Sequence, residues 1–456
     1  MKISRWLYIT NYCLLAVALV GCGFIANGER LFGTSPSTAL TFIESLFSFL
    51  IVAVLVAAII FLNSKFSKYK PNLVLVGILS LVLLCGIISV LTFKDYGVYN
   101  YAGIDGSNCT FEFYISSSMR GSYIFQLAGA LLTIFIVFDI VHQVVNKNDA
   151  IKIVSILSIG GVLIFALISY ITEFSKYVDL LPSLFTSGKY IDAPRSVFVS
   201  KNNYALILST GLIGSIFLHH FYKKWYYFLL TGFIFINIFF TTCKLLLLLD
   251  LLFVCFYIAY YLVSNSKDKK KSTIIAIGVG SSLVLVFGTL FIVLVITNKL
   301  SFLDQNGFNT FETRSWIWRR SFEAINMGNW FTGVGYNLFG EILFRLNTYD
   351  VVTQFANNTR YAHNAFIEWI GNGGIIYLLL GLFLLVITSY MAVKNIKNND
   401  NMSLICFALA ILFTVYMLLE SGSFIMPKSL DTIILAVFII TPIISTYKKA
   451  EVTVAN

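Results

Sequence analysis

One of the four histidines in this sequence is placed where acid–base chemistry would be expected. His363 lies in the stretch 361–366, after a long polar segment and directly before a long apolar run. An imidazole at such a border can reach water and accept a proton near neutral pH. His363 is therefore a candidate general base, and a polar anchor at a membrane surface is the alternative. His142, His219 and His220 lie among basic residues at the ends of other apolar runs and are expected to be interfacial.

A group of arginines lies in the polar segment before His363. Arginine side chains are planar forks that match phosphate oxygens in pairs, so these residues are candidates for binding an anionic ligand. A solvated loop surface is the alternative explanation for scattered arginines. The candidates are Arg314, Arg319, Arg320, Arg345 and Arg360.

Two lysines stand at the starts of other apolar runs. Lys244 follows Thr241-Thr242-Cys243, where an ammonium group either marks a ligand site or extends to the membrane surface. Lys201-Asn202-Asn203 opens a further run, and polar residues at a helix N-terminus can present donors to an anion. Simple capping of a span is the alternative for Lys201 and Asn203. Asp250 lies deeper in its run and needs a partner that the sequence does not identify.

The remaining polar groups are assigned no catalytic or metal-binding role. Glu44, Glu368 and Glu420 are expected to be carboxylates at the membrane interface. Most of the seven cysteines lie in apolar runs, and no CxxC or Cys/His spacing occurs. We therefore predict neither a disulfide framework nor a metal site.

The elements that must position these residues are membrane spans. The chain has 456 residues, of which 58% are hydrophobic and 12% charged, whereas ordinary soluble domains are about 25% charged. Its mean hydropathy is +0.83, so there is too little polar surface to cover a water-soluble globule. This composition excludes a cytosolic enzyme, a disordered chain and a secreted scaffold.

Twelve apolar runs are candidates for transmembrane helices of about 20 residues. Their continuous apolar character, without the alternation of barrel strands, makes strands unexpected. The predicted spans are 7–26, 40–62, 72–92, 121–141, 151–171, 202–219, 226–240, 245–263, 273–297, 363–392, 403–419 and 431–446.

The distribution of charge predicts that both termini are cytoplasmic. With the N-terminus inside, the inner segments hold 17 basic and five acidic residues, a net +12, while the rest of the chain carries −2 of the formal total of +10. The basic excess follows the positive-inside rule and does not indicate a nucleic-acid partner. Two outer segments, 172–201 and 298–362, are longer than the others, and loops of that length are usually functional.

The chain is predicted to be a single polytopic membrane domain, residues 1–456. Residues 298–362 would form a long extracytoplasmic loop between spans 9 and 10, in which 316–324 is predicted to be a short amphipathic helix near the membrane surface. The stretch 19–22 is similar to a lipoprotein signal, but the apolar run continues past Cys22. We therefore expect a first transmembrane helix there.

Three motifs follow one another in an order typical of a known family. They are 312–318 (ETRSWIW), 329–339 (NWFTGVGYNLF) and 363–370 (HNAFIEWI), followed by Gly373-Gly374. An arginine before an aromatic amphipathic helix, a G-x-G-x-x-x-F turn and an H-N-x-x-x-E start of a span resemble the O-antigen ligase and polymerase superfamily. Lys201-Asn202-Asn203 is similar to the K-N-x start of another span in that family. Lys244 falls where the family usually has arginine after serine. The resemblance covers about 200–380.

The resemblance implies an all-α, GT-C-like membrane glycosyltransferase that uses no metal or other cofactor. Its donor would be a glycan on undecaprenyl diphosphate, presented at the outer face of the bacterial plasma (inner) membrane. The resemblance makes His363 the base that deprotonates the acceptor hydroxyl, and it places the diphosphate on Arg314 and Lys244. A lysine at 244 supplies a point charge where arginine would supply a planar fork. Weaker candidates for substrate binding are Lys201, Asn203, Arg320, Arg345, Arg360 and Asn364.

Polymerases and ligases of this superfamily share their chemistry and differ in the acceptor. A polymerase extends the terminal sugar of a lipid-linked repeat unit of O-antigen or capsule, whereas a ligase transfers the polymer to a lipid A core. The Phe-, Tyr-, Ile- and Asn-rich composition resembles that of the divergent polymerases and favours that function. The expected partners are the undecaprenyl-diphosphate-linked oligosaccharide, membrane lipid and, as a further candidate, a polysaccharide chain-length regulator.

A flippase or transporter of lipid-linked oligosaccharide is the alternative from another functional class. It also fits twelve spans with the N-terminus inside. Such a protein would be expected to show pseudo-symmetric halves. The long loop at 298–362 has no counterpart in the first half of the chain, and this asymmetry disfavours the alternative.

Overall fold

The protein is mostly helical, as its computed structural model shows. The structure describes residues 2–27, 39–67, 69–102, 108–183, 193–198, 200–266, 309–348, 360–445 and 453–455. The helices are α1 (Arg5–Asn27), α2 (Ala39–Ser67), α3 (Leu73–Thr92), α4 (Ser117–Phe135), α5 (Val141–Val144), α6 (Lys147–Thr172), α7 (Phe174–Ser183), α8 (Lys201–Tyr222), α9 (Tyr226–Phe240), α10 (Lys244–Ser264), α11 (Asn309–Met327), α12 (Leu338–Thr348), α13 (Ala365–Lys397), α14 (Asn401–Leu419) and α15 (Leu430–Ile444). A π-helical segment, Ile136–Ile140, joins α4 to α5.

Nine of the described helices are long and apolar enough to cross a membrane. Two shorter apolar helices, α9 and α15, coincide with the seventh and twelfth predicted spans. The ninth predicted span, 273–297, lies outside the described residues. The prediction of an all-α membrane protein is therefore confirmed in outline, and the chain is a multi-pass membrane protein. The count of twelve spans stays a prediction.

Polar caps fix where several of these apolar helices begin. The Asn72 side chain accepts hydrogen bonds from the backbone N–H groups of Val74 and Leu75 at the start of α3. Ser116 accepts one from Met119 at the start of α4. Such caps satisfy N–H groups that have no partner inside the helix.

The chain divides into two compact units. The first comprises Met1–Lys147, Glu312–Cys406 and Met417–Asn456, and the second comprises Asn148–Phe311 and Phe407–Tyr416. In the first unit, α1, α2 and α4 pack on one another, α3 packs on α4 and α13, and α13 packs on α15. In the second unit, α8, α9 and α10 pack on one another. The single domain expected over 1–456 stays a prediction.

Two small sheets depart from the expectation that the chain has no strands. Strands β1 (Lys2–Ser4) and β4 (Thr453–Ala455) pair in parallel, so the two terminal segments meet. Strands β2 (Tyr96–Ala102) and β3 (Asn108–Tyr114) form an antiparallel hairpin between α3 and α4. The hairpin sequences alternate between buried and exposed residues, which is the period of a half-buried strand. This alternating pattern lies in a segment that is too short and too polar to span a membrane.

Polar contacts also join loops of the first unit that lie far apart in the chain. Lys147 donates to Asp400 Oδ2 at 2.9 Å, and the Tyr69 hydroxyl donates to Asp139, which is buried in the π-helical segment. Burial raises the pKa of Asp400, but the hydrogen bond and charge of Lys147 and the bonds from Ser403 outweigh it, so its pKa lies below the usual value. The Asp400 carboxylate therefore stays ionised at neutral pH.

Candidate active site

His363 is held by a carboxylate that follows another helix. His363 lies two residues before α13, and Glu420 directly follows α14. Nδ1 of His363 is 2.9 Å from Oε2 of Glu420. Because a carboxylate can only accept, Nδ1 carries the hydrogen and donates it. The lone pair of the neutral imidazole is then on Nε2, and a carboxylate that orients histidine in this way also stabilises the imidazolium formed when Nε2 takes a proton.

Arg314 binds the second oxygen of the same carboxylate. Its Nη2 lies 2.7 Å from Oε1 of Glu420, and the Arg314 and Glu420 side chains are 15% and 10% exposed. Glu420 thus bridges the base candidate and the cation candidate, each on its own oxygen. In the described part of the chain, the ion pair with Glu420 occupies Nη2 of Arg314. Nε and Nη1 of Arg314 remain available to donate to a ligand. We call His363, Glu420 and Arg314 the bridged triad.

The backbone around His363 is itself constrained. His363 has φ +48°, in the left-handed region that few residues other than glycine adopt. Its N–H donates to the Ser421 hydroxyl at 3.0 Å, so the segment after α14 holds both its backbone and its ring. Residues held in such conformations cluster at functional sites, where the surrounding contacts sustain the strain.

Asn364, one of the weaker candidates for substrate binding, caps α13. Its Oδ1 accepts from the N–H groups of Phe366 and Ile367 at 3.0 and 3.1 Å. Its Nδ2 donates to the Leu418 carbonyl at 3.0 Å. The side chain therefore ties the start of α13 to the end of α14, which are the two elements that carry His363 and Glu420.

A buried ion pair lies one turn into α13. Glu368 is 2% exposed, and its Oε2 accepts from Lys428 Nζ at 2.9 Å. Its Oε1 accepts from the Ala362 N–H at 3.1 Å, next to His363. Removing one partner of a buried pair leaves an uncompensated charge, so Lys428 and Glu368 are expected to be required together. Glu368 is thus structural, and not the simple interface carboxylate that its sequence position suggests.

The G-x-G turn between α11 and α12 is docked into a break in α13. Gly373 and Gly374 have non-helical backbone angles. Val334 N–H donates to the Gly371 carbonyl at 2.8 Å, and Ile375 N–H donates to the Trp330 carbonyl at 2.9 Å. The turn therefore fixes the segment that follows Arg314 against the helix that follows His363.

A methyl group at Gly374 is expected to undo this docking. Gly374 has φ +66°, and a Cβ there would lie 2.2 Å from the Phe331 carbonyl oxygen. Left-handed strain alone costs roughly 1–3 kcal/mol, so Gly374→Ala should lower the thermal midpoint of the purified protein and its activity together. Gly77→Ala in α3 is the matched control, because a Cβ at Gly77 has nothing within 4 Å. An unchanged midpoint for Gly374→Ala would contradict the docking role.

Three other candidate arginines of the first unit have partners of their own. Arg320 is fully buried, pairs with Glu323 within α11 and lies over the Trp316 ring at 4.5 Å, so it stabilises that helix. Arg345 and Arg360 share Glu341, with contacts of 3.5 and 3.3 Å.

The lysine candidates lie in the second unit. Lys201 is the first residue of α8, and its Nζ donates to the Thr242 hydroxyl at 2.9 Å. Thr242 precedes Lys244, the first residue of α10, by two positions. Asn203 takes part in the cap of α8, since its N–H donates to the Ser200 hydroxyl at 3.2 Å. Within this unit the two lysines therefore stand at helix starts joined by the Thr242 turn.

The deeper carboxylate of the second unit also has a partner. The hydroxyl of Ser209 in α8 donates to Oδ2 of Asp250 in α10, and both residues are buried. Ser209 lies eight residues after Lys201 on the same helix, so only the folded structure reveals this pairing.

Glu420 is the residue of the site that sequence reasoning missed. It was assigned only interface polarity, because nothing in its neighbourhood marks a motif. One signal was present, namely a carboxylate at the end of a predicted span on the same predicted side as His363. Ser421 and Lys428 lie in the same connection between α14 and α15, which therefore supplies three of the contacts around His363 and Glu368.

Comparison with known families agrees with the motifs. The family model for O-antigen ligase matches residues 249–382. The resemblance to the O-antigen ligase and polymerase superfamily is thereby confirmed, and it supports a function of the ligase or polymerase type in a membrane protein of polysaccharide biosynthesis. The matched range contains Arg314, the G-x-G turn and His363, and ends before Glu420. A search of curated proteins found no match.

Proposed function

We propose that this protein is a glycosyltransferase that elongates a surface polysaccharide. It transfers a glycan from undecaprenyl diphosphate to a sugar hydroxyl of another lipid-linked repeat unit. The observation that carries the proposal is the bridged triad, in which one carboxylate holds a histidine and an arginine 2.9 and 2.7 Å from its two oxygens. The family match to O-antigen ligase supports the class of reaction.

The chemical step follows from the bridged triad. Nε2 of His363 takes the proton of the acceptor hydroxyl while that oxygen forms a bond to the anomeric carbon of the donor. The bond between the anomeric carbon and the diphosphate oxygen breaks, and the electron pair leaves with the diphosphate. Attack from the side opposite the leaving group inverts the anomeric centre. Glu420 keeps Nδ1 protonated and stabilises the imidazolium.

Arg314 is proposed to hold the leaving diphosphate through the N–H groups that Glu420 does not use. A fixed cation next to the leaving oxygen stabilises the charge that develops there and needs no reorganisation during the reaction. Lys244 and Lys201 stay predictions as further phosphate ligands. In the first unit, Arg314 is the one residue proposed to bind the diphosphate.

The reaction is proposed to occur at the outer face of the bacterial plasma membrane, with both termini in the cytoplasm. The pairing of β1 with β4 supports placing the termini on one side. The Lys147–Asp400 contact joins two other segments with predicted cytoplasmic positions. His363, Glu420 and the hairpin belong to segments with predicted outer positions.

Deleting the gene tests the acceptor. Loss of a polymerase should leave single repeat units on the outer surface, and this is the result we expect. Loss of a ligase should instead leave full-length polymer that is not attached to lipid A core, and that result would contradict the proposed acceptor. Trapping of the lipid-linked unit at the inner leaflet would instead indicate a flippase and contradict the proposal.

A further inference from the structure

The β2–β3 hairpin has one face that points away from the protein. Tyr96 lies directly opposite Tyr114, Val98 opposite Glu112, and Asn100 opposite Thr110. Tyr96 and Tyr114 are 55% and 64% exposed. The Thr110 hydroxyl donates to Asn100 Oδ1 at 2.8 Å. These six residues, which we call the outward face, form an ordered strip of aromatic, amide, hydroxyl and carboxylate groups.

The opposite face of the hairpin is anchored to the elements of the candidate site. Phe111 and Phe113 are almost fully buried in one cluster with Ile317 of α11, Leu343 of α12 and Ile367 of α13. The rings of Phe111 and Phe113 stack on Tyr99. The outward face therefore has a fixed position on the framework that carries Arg314 and His363.

Polar contacts continue from the outward face toward His363. Arg345 Nη1 donates to the Glu112 carbonyl at 3.4 Å, and Arg345 Nε lies 3.5 Å from Glu341. Arg360, which shares Glu341, lies three residues before His363 in the chain. Arg345 and Glu341 thus link the hairpin to Arg360, in the segment that leads to His363.

We propose that the outward face binds sugar residues of the lipid-linked substrate at a distance from the reacting hydroxyl. A pyranose has apolar C–H faces that suit the tyrosine rings and hydroxyl groups that suit Asn100, Thr110 and Glu112. Lipid is a poorer occupant, because the Glu112 carboxylate would be buried in it without a cation. The inference rests on the proposed function and names where its glycan is held.

Binding of free sugar tests this inference without turnover. The probe is the repeat-unit oligosaccharide released by mild acid from its lipid, taken from a strain that lacks this protein. Its Kd is measured by calorimetry with purified full-length protein carrying His363→Asn. Adding Tyr96→Ala and Tyr114→Ala should raise the Kd about tenfold, since both stacking rings are lost. Tyr96→Phe with Tyr114→Phe keeps the rings and should stay within about threefold.

Tyr390→Ala is the matched control, because Tyr390 is 64% exposed, like Tyr114, but lies in α13. It should leave the Kd unchanged. An unchanged Kd for the double alanine variant, or a lower thermal midpoint without a change in Kd, would overturn the inference. In protein that retains His363, Tyr96→Ala with Tyr114→Ala should raise KM for the acceptor and leave kcat unchanged. If the wild-type protein does not polymerise repeat units, that result counts against the proposed function and not against this inference, since the binding measurement needs no transfer.

Discussion

Replacing His363 should abolish long polysaccharide while the protein stays in the membrane. A positioned base contributes roughly 10²–10⁴-fold to the rate of such a transfer, and the proposal that His363 is that base is supported by the donation of Nδ1 to Glu420, which puts the lone pair of the imidazole on Nε2. The measurement is the length distribution of surface polysaccharide on a gel, in a deletion strain complemented with the variant. An immunoblot of the membrane fraction reports the amount of protein.

The choice of substitution matters because His363 has φ +48°. Asparagine tolerates the left-handed region better than alanine, so His363→Asn removes the base with less strain on the backbone. His220→Ala, at the end of α8, is the control for a histidine outside the bridged triad. Normal polymer length with either substitution at position 363 would reject the catalytic assignment.

Glu420→Gln should lower kcat by roughly 10²–10⁴-fold with little change in KM, by analogy with other carboxylates that orient a histidine. The amide has one accepting oxygen, whereas the carboxylate serves both His363 Nδ1 and Arg314 Nη2. If the amide oxygen faces Arg314, the amide N–H groups face Nδ1 and favour the tautomer in which Nε2 cannot accept a proton. If the oxygen faces His363, the Arg314 contact is lost.

A double variant separates positioning from general damage. Because Glu420 acts through His363, Glu420→Gln should add little to the loss already caused by His363→Asn. Asp179→Asn, an exposed carboxylate in α7, is the control and should leave the rate unchanged. Additive losses in the double variant would mean that Glu420 acts mainly through Arg314 or another group, and not through His363.

Most of the helices could be predicted because their signal is local. A run of about 20 apolar residues has essentially one stable form in a bilayer, so 73–92 and 226–240 appear almost where composition places them. The hairpin was not predicted, because it is neither a continuous apolar run nor an amphipathic helical stretch such as 316–324. Its alternating pattern at 96–114 is equally local, but it marks a half-buried strand outside the membrane.

The site was only half predictable because its partners meet through folding. His363 and Arg314 stand in motifs, whereas Glu420 lies 57 residues beyond His363 with no motif around it. Arg320 shows that a residue type alone does not reveal its surroundings. It lies in the same helix as Arg314 and looks equally suited to a phosphate, but it is buried against Trp316 and Glu323. Arg314 and Arg320 lie on different faces of α11. Arg314 therefore reaches Glu420, whereas Arg320 is buried in the core.

We propose that this chain forms glycosidic bonds from a lipid diphosphate donor by means of His363. The most direct test uses purified protein, EDTA and lipid-linked repeat units, and follows polymer length together with release of undecaprenyl diphosphate. We expect one undecaprenyl diphosphate to be released per bond formed, at a rate that EDTA does not change and that His363→Asn lowers roughly 10²–10⁴-fold. Equal rates for the wild type and His363→Asn, or polymer growth that stops with EDTA, would contradict it.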